Sequence, residues 1–333
     1  MGELQKLDAQ QQRILCDLAD PEAMAPSPGT LERFDPDQLF ALSEYHGIDP
    51  VVTRKVCPLV DGLPASWTKP CNEALEHLRI ATVVTMALEA EAAQIKAKLD
   101  AEGIPCRIVK GAAFAADLYP DVADRPFTDV DVVLHPDALA AAGSHLRALG
   151  FEPADPTRAQ SEEKYREQKW VRPGIRHLLI ELHSDLVHQP SLRRRVRYGY
   201  DELMAPGAEK SDLLSEHVLT AVVHGAMGHK FHNLKLAVDV LQAFRRLPHE
   251  KIDATVSRAK RLHVKAELAA SAKLVCCLFP GAVDLEAVKV FEKLSMLPMP
   301  IDRDAVTNAF RRDYFASRAR RHVFRWTQNL RVT

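Results

Sequence analysis

The chain has 333 residues, enough for about two domains and for a core that needs no metal or disulfide staple. Its 44 Lys and Arg against 45 Asp and Glu leave a formal charge of −1, which argues against a general electrostatic grip on bulk nucleic acid. Hydrophobic residues at 47% and charged residues at 27% are those of a folded protein, and no apolar run approaches the roughly 20 residues needed to cross a bilayer.

Residues 1–84 carry short helical patterns, QQRILCDLA and DQLFALSEYHG among them, and read as a helical lobe without a nucleophile or ligand cluster. Three-to-four-residue apolar spacing from Cys71 to Leu99 predicts one long helix. After the breaker EGIP, Cys106–Val109 is short and partly β-branched, and Gly111 follows it. A strand is expected there, turning into a helix that starts near Ala112 and stops at Tyr119-Pro120. Residues 124–134 begin as a loop and become a strand, and a helix over 137–149 ends at Gly150 in the C-cap position. Residues 152–170 are polar and predict a loop with a surface helix, whereas residues 177–183, with Glu181 among apolar neighbours, predict a strand. Helical periodicity dominates from about Ser211 onward. The expected organisation is a helical lobe over 1–84, an α/β core over 85–200 and an all-helical domain over 201–333. The six cysteines are irregularly spaced, form no CxxC and read as reduced structural residues, and the expected location is cytoplasmic.

Asp129 and Asp131 are the sharpest chemical feature. Two carboxylates one residue apart at the start of an apolar strand share a face, with Cα atoms roughly 6 to 7 Å apart. That spacing suits acids flanking one or two divalent ions, and it also suits a solvated strand edge. Glu181 lies in another short apolar run, and a neighbouring strand could set it beside the two aspartates. The turn at Lys110-Gly111 offers a backbone that an anion can approach and a lysine charge beside it, although GxxxxGK[ST] is absent. Arg125, just upstream of the acids, is a candidate triphosphate contact or a partner for a local carboxylate such as Asp124. His224 and His229 are five apart, a poor match for one helix face, so a zinc pair is not expected unless the chain bends at Gly225 or Gly228. A buried hydrogen-bonding role and contact with a nucleotide both stay open for them. The run Arg193-Arg194-Arg195 with Arg197, interleaved with Tyr198 and Tyr200, could meet RNA or a triphosphate, or could be a solvated turn.

The stretch from Lys110-Gly111 to Tyr119-Pro120, followed by Arg125-Pro126-Phe127-Thr128-Asp129-Val130-Asp131, resembles the core signature of the uncharacterised bacterial nucleotidyltransferase family of the polymerase-beta-like superfamily. The similarity continues through Glu181-Leu182-His183, His224-Gly225-Ala226 with His229, and Leu234-Lys235 with Asp239. It implies a minimal nucleotidyltransferase core with a mixed sheet, N-terminal helices and a C-terminal helical domain. It further implies Asp129, Asp131 and Glu181 as catalytic residues and ligands of one or two Mg²⁺ ions; Lys110, Gly111, Arg125, His224 and His229 are the candidates for contact with the nucleotide. The reaction implied is attack of an acceptor hydroxyl, on a small molecule or a protein, at the α-phosphorus of an NTP with pyrophosphate leaving; ATP is the first candidate. The superfamily usually carries Gly-Ser at the phosphate turn, and Lys110-Gly111 stands here instead. A non-catalytic nucleotide-binding or partner-docking protein that retains the fold is the alternative.

Overall fold

Alternation along residues 129–134 and 179–183 sorts apolar side chains to one face of a sheet and ionisable ones to the other. The computed structural model describes residues 4–154, 166–174, 178–204, 213–283, 285–296, 299–310 and 315–330. Among them are five strands, β1 (Cys106–Val109), β2 (Asp129–Leu134), β3 (Glu152–Pro153), β4 (Glu167–Val171) and β5 (Leu179–His183). They form one mixed sheet in the order β1-β2-β5-β4-β3, in which only β2 and β5 run parallel.

The apolar face carries Val130, Val132, Leu134, Ile180 and Leu182, packed against Leu88, Ile95 and Leu99 of the helix Thr68–Ala101. Each such aliphatic side chain contributes about 1.5 to 3 kcal/mol when fully buried. Trp170 of β4 completes this layer by lying against Gly143 of the helix Leu139–Ala148, where a Cβ would stand 2.6 Å from the indole. The opposite face presents Asp129, Asp131, Glu181, His183, Lys169 and Glu167, and this face carries the candidate site.

A second core joins the two ends of the chain. Leu15, Leu42 and Val52 from the helices Ala9–Ala19, Pro36–His46 and Asp49–Val56 belong to one apolar cluster with Leu219, Leu241 and Leu274 from Leu213–Val222, Leu234–Arg246 and Lys265–Leu278. The α/β core is thus flanked by N-terminal helices and a large C-terminal helical region. The long helix passes through residue 84 unbroken.

Two local expectations need correction. The expected loop and surface helix over 152–170 is replaced, in its described part, by β3 and β4; residues 155–165 lie outside the described residues. The short segment EQKWV has a weak alternation that gains strand structure by pairing with β5 along its whole length. Residues 223–229 are not α-helical but π-helical, in which hydrogen bonds run to the fifth residue. Gly225 permits this local packing, since a Cβ there would stand 2.5 Å from the Phe231 ring. No described helix is long and apolar enough to cross a membrane.

Candidate active site

The parallel register of β2 and β5 sets Asp131 directly opposite Glu181, and Val133 opposite His183. Because side chains alternate, Asp131, Glu181 and His183 project to the same face and are all buried. His183 Nε2 lies 2.7 Å from Asp131 Oδ1 and 3.4 Å from Glu181 Oε2. Just after β1, Lys110 Nζ donates to Asp131 Oδ1 at 2.7 Å, and from β4 Lys169 donates to Glu181 and, at 2.9 Å, pairs with Glu167 Oε1. Two buried acids are therefore held by two ammonium groups and an imidazole, the compensation that buried carboxylates require.

Electrostatics follow from this arrangement. Burial alone would raise Asp131, but the Lys110 ammonium and the His183 imidazole hold it well below the usual carboxylate range. Burial likewise opposes the charged form of Glu181, and the hydrogen bond from His183 overcomes it and lowers its pKa. Burial and Lys110 push His183 down, yet Asp131 and Glu181 win and raise it. Asp129 differs. It is half-buried, its carboxylate makes no hydrogen bond among the described residues, and it is raised by burial and by the charges of Asp131 and Glu181.

Lys110 sits between β1 and the helix Gly111–Leu118 with φ 54° and ψ −121°, a conformation that costs a non-glycine residue about 1 to 3 kcal/mol and persists only where its surroundings enforce it. The buried contact with Asp131 is such a constraint. Gly111 is required for a different reason: a Cβ there would stand 2.8 Å from Phe127 Cβ, so glycine lets the helix start approach the loop that leads into Asp129.

Arg125 is held by Asp239. Its guanidinium grips Asp239 with two bonds, Nε to Oδ1 at 2.9 Å and Nη2 to Oδ2 at 2.8 Å, and both residues are buried. Tyr119 donates to the same carboxylate at 2.7 Å. Asp124, the local partner considered from sequence, pairs with Arg54 instead. Asn233 caps the helix that carries Asp239 by accepting from Leu236 N–H, which fixes where that carboxylate stands.

The π-helical turn brings His224 and His229 onto one side, with ring centroids 4.8 Å apart and edge to face; His229 in turn lies 5.2 Å from His232. Burial lowers His224 well below the ordinary histidine value, and the nearby Lys110 charge adds to this. Burial and His232 bring His229 to about 4. Both shifts favour the neutral imidazole, and among the described residues His224 Nδ1 is buried without a hydrogen-bond partner. The arginine run falls elsewhere: Arg193, Arg194 and Arg197 line a groove of about 450 Å³ with Arg166, Asp185 and Glu202. A separate cavity of about 540 Å³ includes Asp49, His77, Thr85, Phe127 and Thr128 in its wall. Neither space is lined by Asp131 or Glu181.

Sequence reasoning had not assigned His183, Lys169, Glu167 or His188 to a site. His183 was accessible to it, since a residue two positions after Glu181 on a strand must share its face. The other three depend on β4 and the loop after β5. Two groups of three potential ligands result, each with one donor atom per residue within 4.8 Å of the others: Asp131, Glu181 and His183, and Glu167, His183 and His188. Asp129 belongs to neither. The oxygen donors of Asp131 and Glu181 suit a hard cation such as Mg²⁺, which prefers carboxylates and water.

No curated protein and no solved structure matches the chain. The family described as uncharacterised nucleotidyltransferase matches residues 32–280, which contain both ligand groups, the Lys110-Gly111 turn and the Arg125–Asp239 pair. With a match over most of its length, and with an α/β core that carries acids on one sheet face, the chain belongs to the uncharacterised nucleotidyltransferase family.

Proposed function

We propose that the protein is a Mg²⁺-dependent nucleotidyltransferase that moves a nucleoside monophosphate from an NTP, with ATP the first candidate, to a hydroxyl of a small molecule or protein. The single observation that carries this reading is the pairing of Asp131 with Glu181 in the parallel register, which holds two hard-oxygen donors at one buried place. Asp131 and Glu181 would hold the metal, and Asp129, on the same face two positions earlier, would reach an ion or the acceptor. When bound, Mg²⁺ supplies charge neutralisation for the phosphate oxygens and acidity for a coordinated hydroxyl.

The remaining work belongs to the chain. Lys110 places a charge beside the acids, and the N–H groups of the first turn after Gly111 would receive a phosphate. His224 and His229, neutral and close to Lys110, can accept or donate a hydrogen bond to a nucleotide without adding charge. Asp129 is the carboxylate best placed to receive the acceptor's proton, because its pKa is raised and no hydrogen bond from the described residues occupies it. Arg125 orders the loop before Asp129 through Asp239.

Purified protein incubated with Mg²⁺ and each α-³²P-labelled NTP, with and without cell extract, tests this. Label transfer and pyrophosphate release by the native chain, lost in Asp131→Asn, would support it. Absence of both nucleotide binding and transfer would refute it. One observation favours the non-catalytic reading: Lys110 and Lys169 already sit on the two acids, so that the cluster is neutralised without a metal. That reading expects nucleotide binding without transfer under every condition tried.

A further inference from the structure

The second ligand group differs in kind from the first. Glu167 and His183 are register partners across the antiparallel β4–β5 pair, and His188 returns to them from the loop after β5. His188 Nδ1 lies 3.1 Å from Glu167 Oε2, and His183 Nδ1 lies 3.8 Å from that same oxygen. The latter distance is too long for a hydrogen bond, and His183 Nδ1 is fully buried with no hydrogen-bond partner among the described residues. Two donors about 2.1 Å from one tetrahedral ion stand about 3.4 Å apart, which the two distances bracket.

The other side of the imidazole supports the same conclusion. His183 Nε2 contacts Asp131 Oδ1 at 2.7 Å, so a proton held at Nε2 leaves the Nδ1 lone pair aimed at Glu167 and His188. A carboxylate that fixes the tautomer of a ligating histidine from behind is the usual supporting arrangement of such sites. Lys169 holds the other oxygen of Glu167, Oε1, at 2.9 Å, leaving Oε2 to face the two imidazoles. His188 is partly exposed, so the group has a path to solvent.

We infer that Glu167, His183 and His188 form a site for a borderline divalent cation such as Zn²⁺ or Co²⁺, distinct from the hard-oxygen site of Asp131 and Glu181. Two imidazoles and one carboxylate are a poor set for Mg²⁺ and a good one for these ions. The inference does not depend on nucleotidyl transfer, because the ligand set and the orphaned nitrogen stand without it.

The test is a Co²⁺ titration of the full chain in excess Mg²⁺, read by the visible d–d absorption and repeated with Zn²⁺ competition. One equivalent of Co²⁺, displaced by Zn²⁺, is expected for the native chain and for Glu181→Gln. His188→Ala and Glu167→Gln should each lose the band while keeping the native far-ultraviolet circular dichroism spectrum and cooperative melting. His188 is a partly exposed loop residue, so its truncation leaves the core packing intact. A native chain without the band, or a band that survives both substitutions, would overturn the assignment. Failure of Mg²⁺-dependent label transfer would leave it untouched.

Discussion

Arg125 and Asp239, which lie 114 positions apart, meet as a buried two-pronged ion pair that ties the loop before β2 to the helix Leu234–Arg246. Removing one partner leaves a buried charge unmatched, at a cost of about 3 to 5 kcal/mol. Arg125→Ala or Asp239→Ala should therefore lower the urea midpoint sharply. The double substitution Arg125→Met with Asp239→Leu should recover much of that loss, because apolar pairs of similar volume often replace buried ion pairs without penalty. A loss in the double variant equal to the sum of the two single losses would show that the pair is not coupled.

On the proposed function, Asp131→Asn and Glu181→Gln should each reduce label transfer by about 10² to 10³-fold, the usual worth of a preorganised electrostatic contact. Both side chains keep their shape, and circular dichroism and melting of each variant establish that the chain stays folded although Lys110 or Lys169 loses its charged partner. Transfer rates within twofold of native for both would remove these residues from the site.

Gly143→Ala and Gly199→Ala should destabilise for steric reasons alone. The new methyl would meet the Trp170 ring at 2.6 Å in the first case and Ser184 O at 2.3 Å in the second. A side-chain ring can shift, whereas backbone cannot, so Gly199→Ala is expected to be the worse. Overpacking of this kind costs about 1 to 3 kcal/mol, and more where backbone must move. Thermal melting of the two variants gives the order directly.

Acid should destabilise the chain through His46, remote from the acid cluster. This buried imidazole donates from Nε2 to Thr307 O at 3.1 Å, while Leu234 N–H points at Nδ1 from 3.4 Å, an arrangement that only the neutral ring satisfies. Burial is the main cause that lowers its pKa from 6.5 to about 4. The unfolded chain therefore binds a proton that the folded one refuses as pH falls below 6.5, and stability present at neutral pH is lost on the way to pH 4. The full effect is about 3 kcal/mol. Denaturation at pH 7.5 and at pH 5 checks it: His46→Gln should be less stable at the higher pH and should show a smaller difference between the two.

How much of this could be read in the residues depends on how local each feature is. β1, β2 and β5 were legible because each is a short apolar run with a periodicity of its own, and the resemblance to the family rests on contiguous residues. β4 was not, since EQKWV becomes a strand only through its partner β5. The π-helical turn escaped the spacing argument because that argument assumed 3.6 residues per turn, and the Phe231 ring against Gly225 is a tertiary contact. The assignment of Arg125 stayed open for a similar reason, since Asp239 lies far along the chain. Glu167 and His188 became ligand candidates only once the β4–β5 register was known.

The pairing of each acid with its own lysine also bears on how the sheet comes together. Lys110 and Asp131 are 21 positions apart and Lys169 and Glu181 are 12, whereas the contact of Asp131 with His183 spans 52. Closing a loop costs more entropy as it lengthens, so the two short pairings form at the lower cost. The β1–β2 half and the β4–β5 half can each arrive with its carboxylate already neutralised. Two bare anions need never approach one another as β2 docks on β5, and like-charge repulsion is kept out of the barrier to joining the halves.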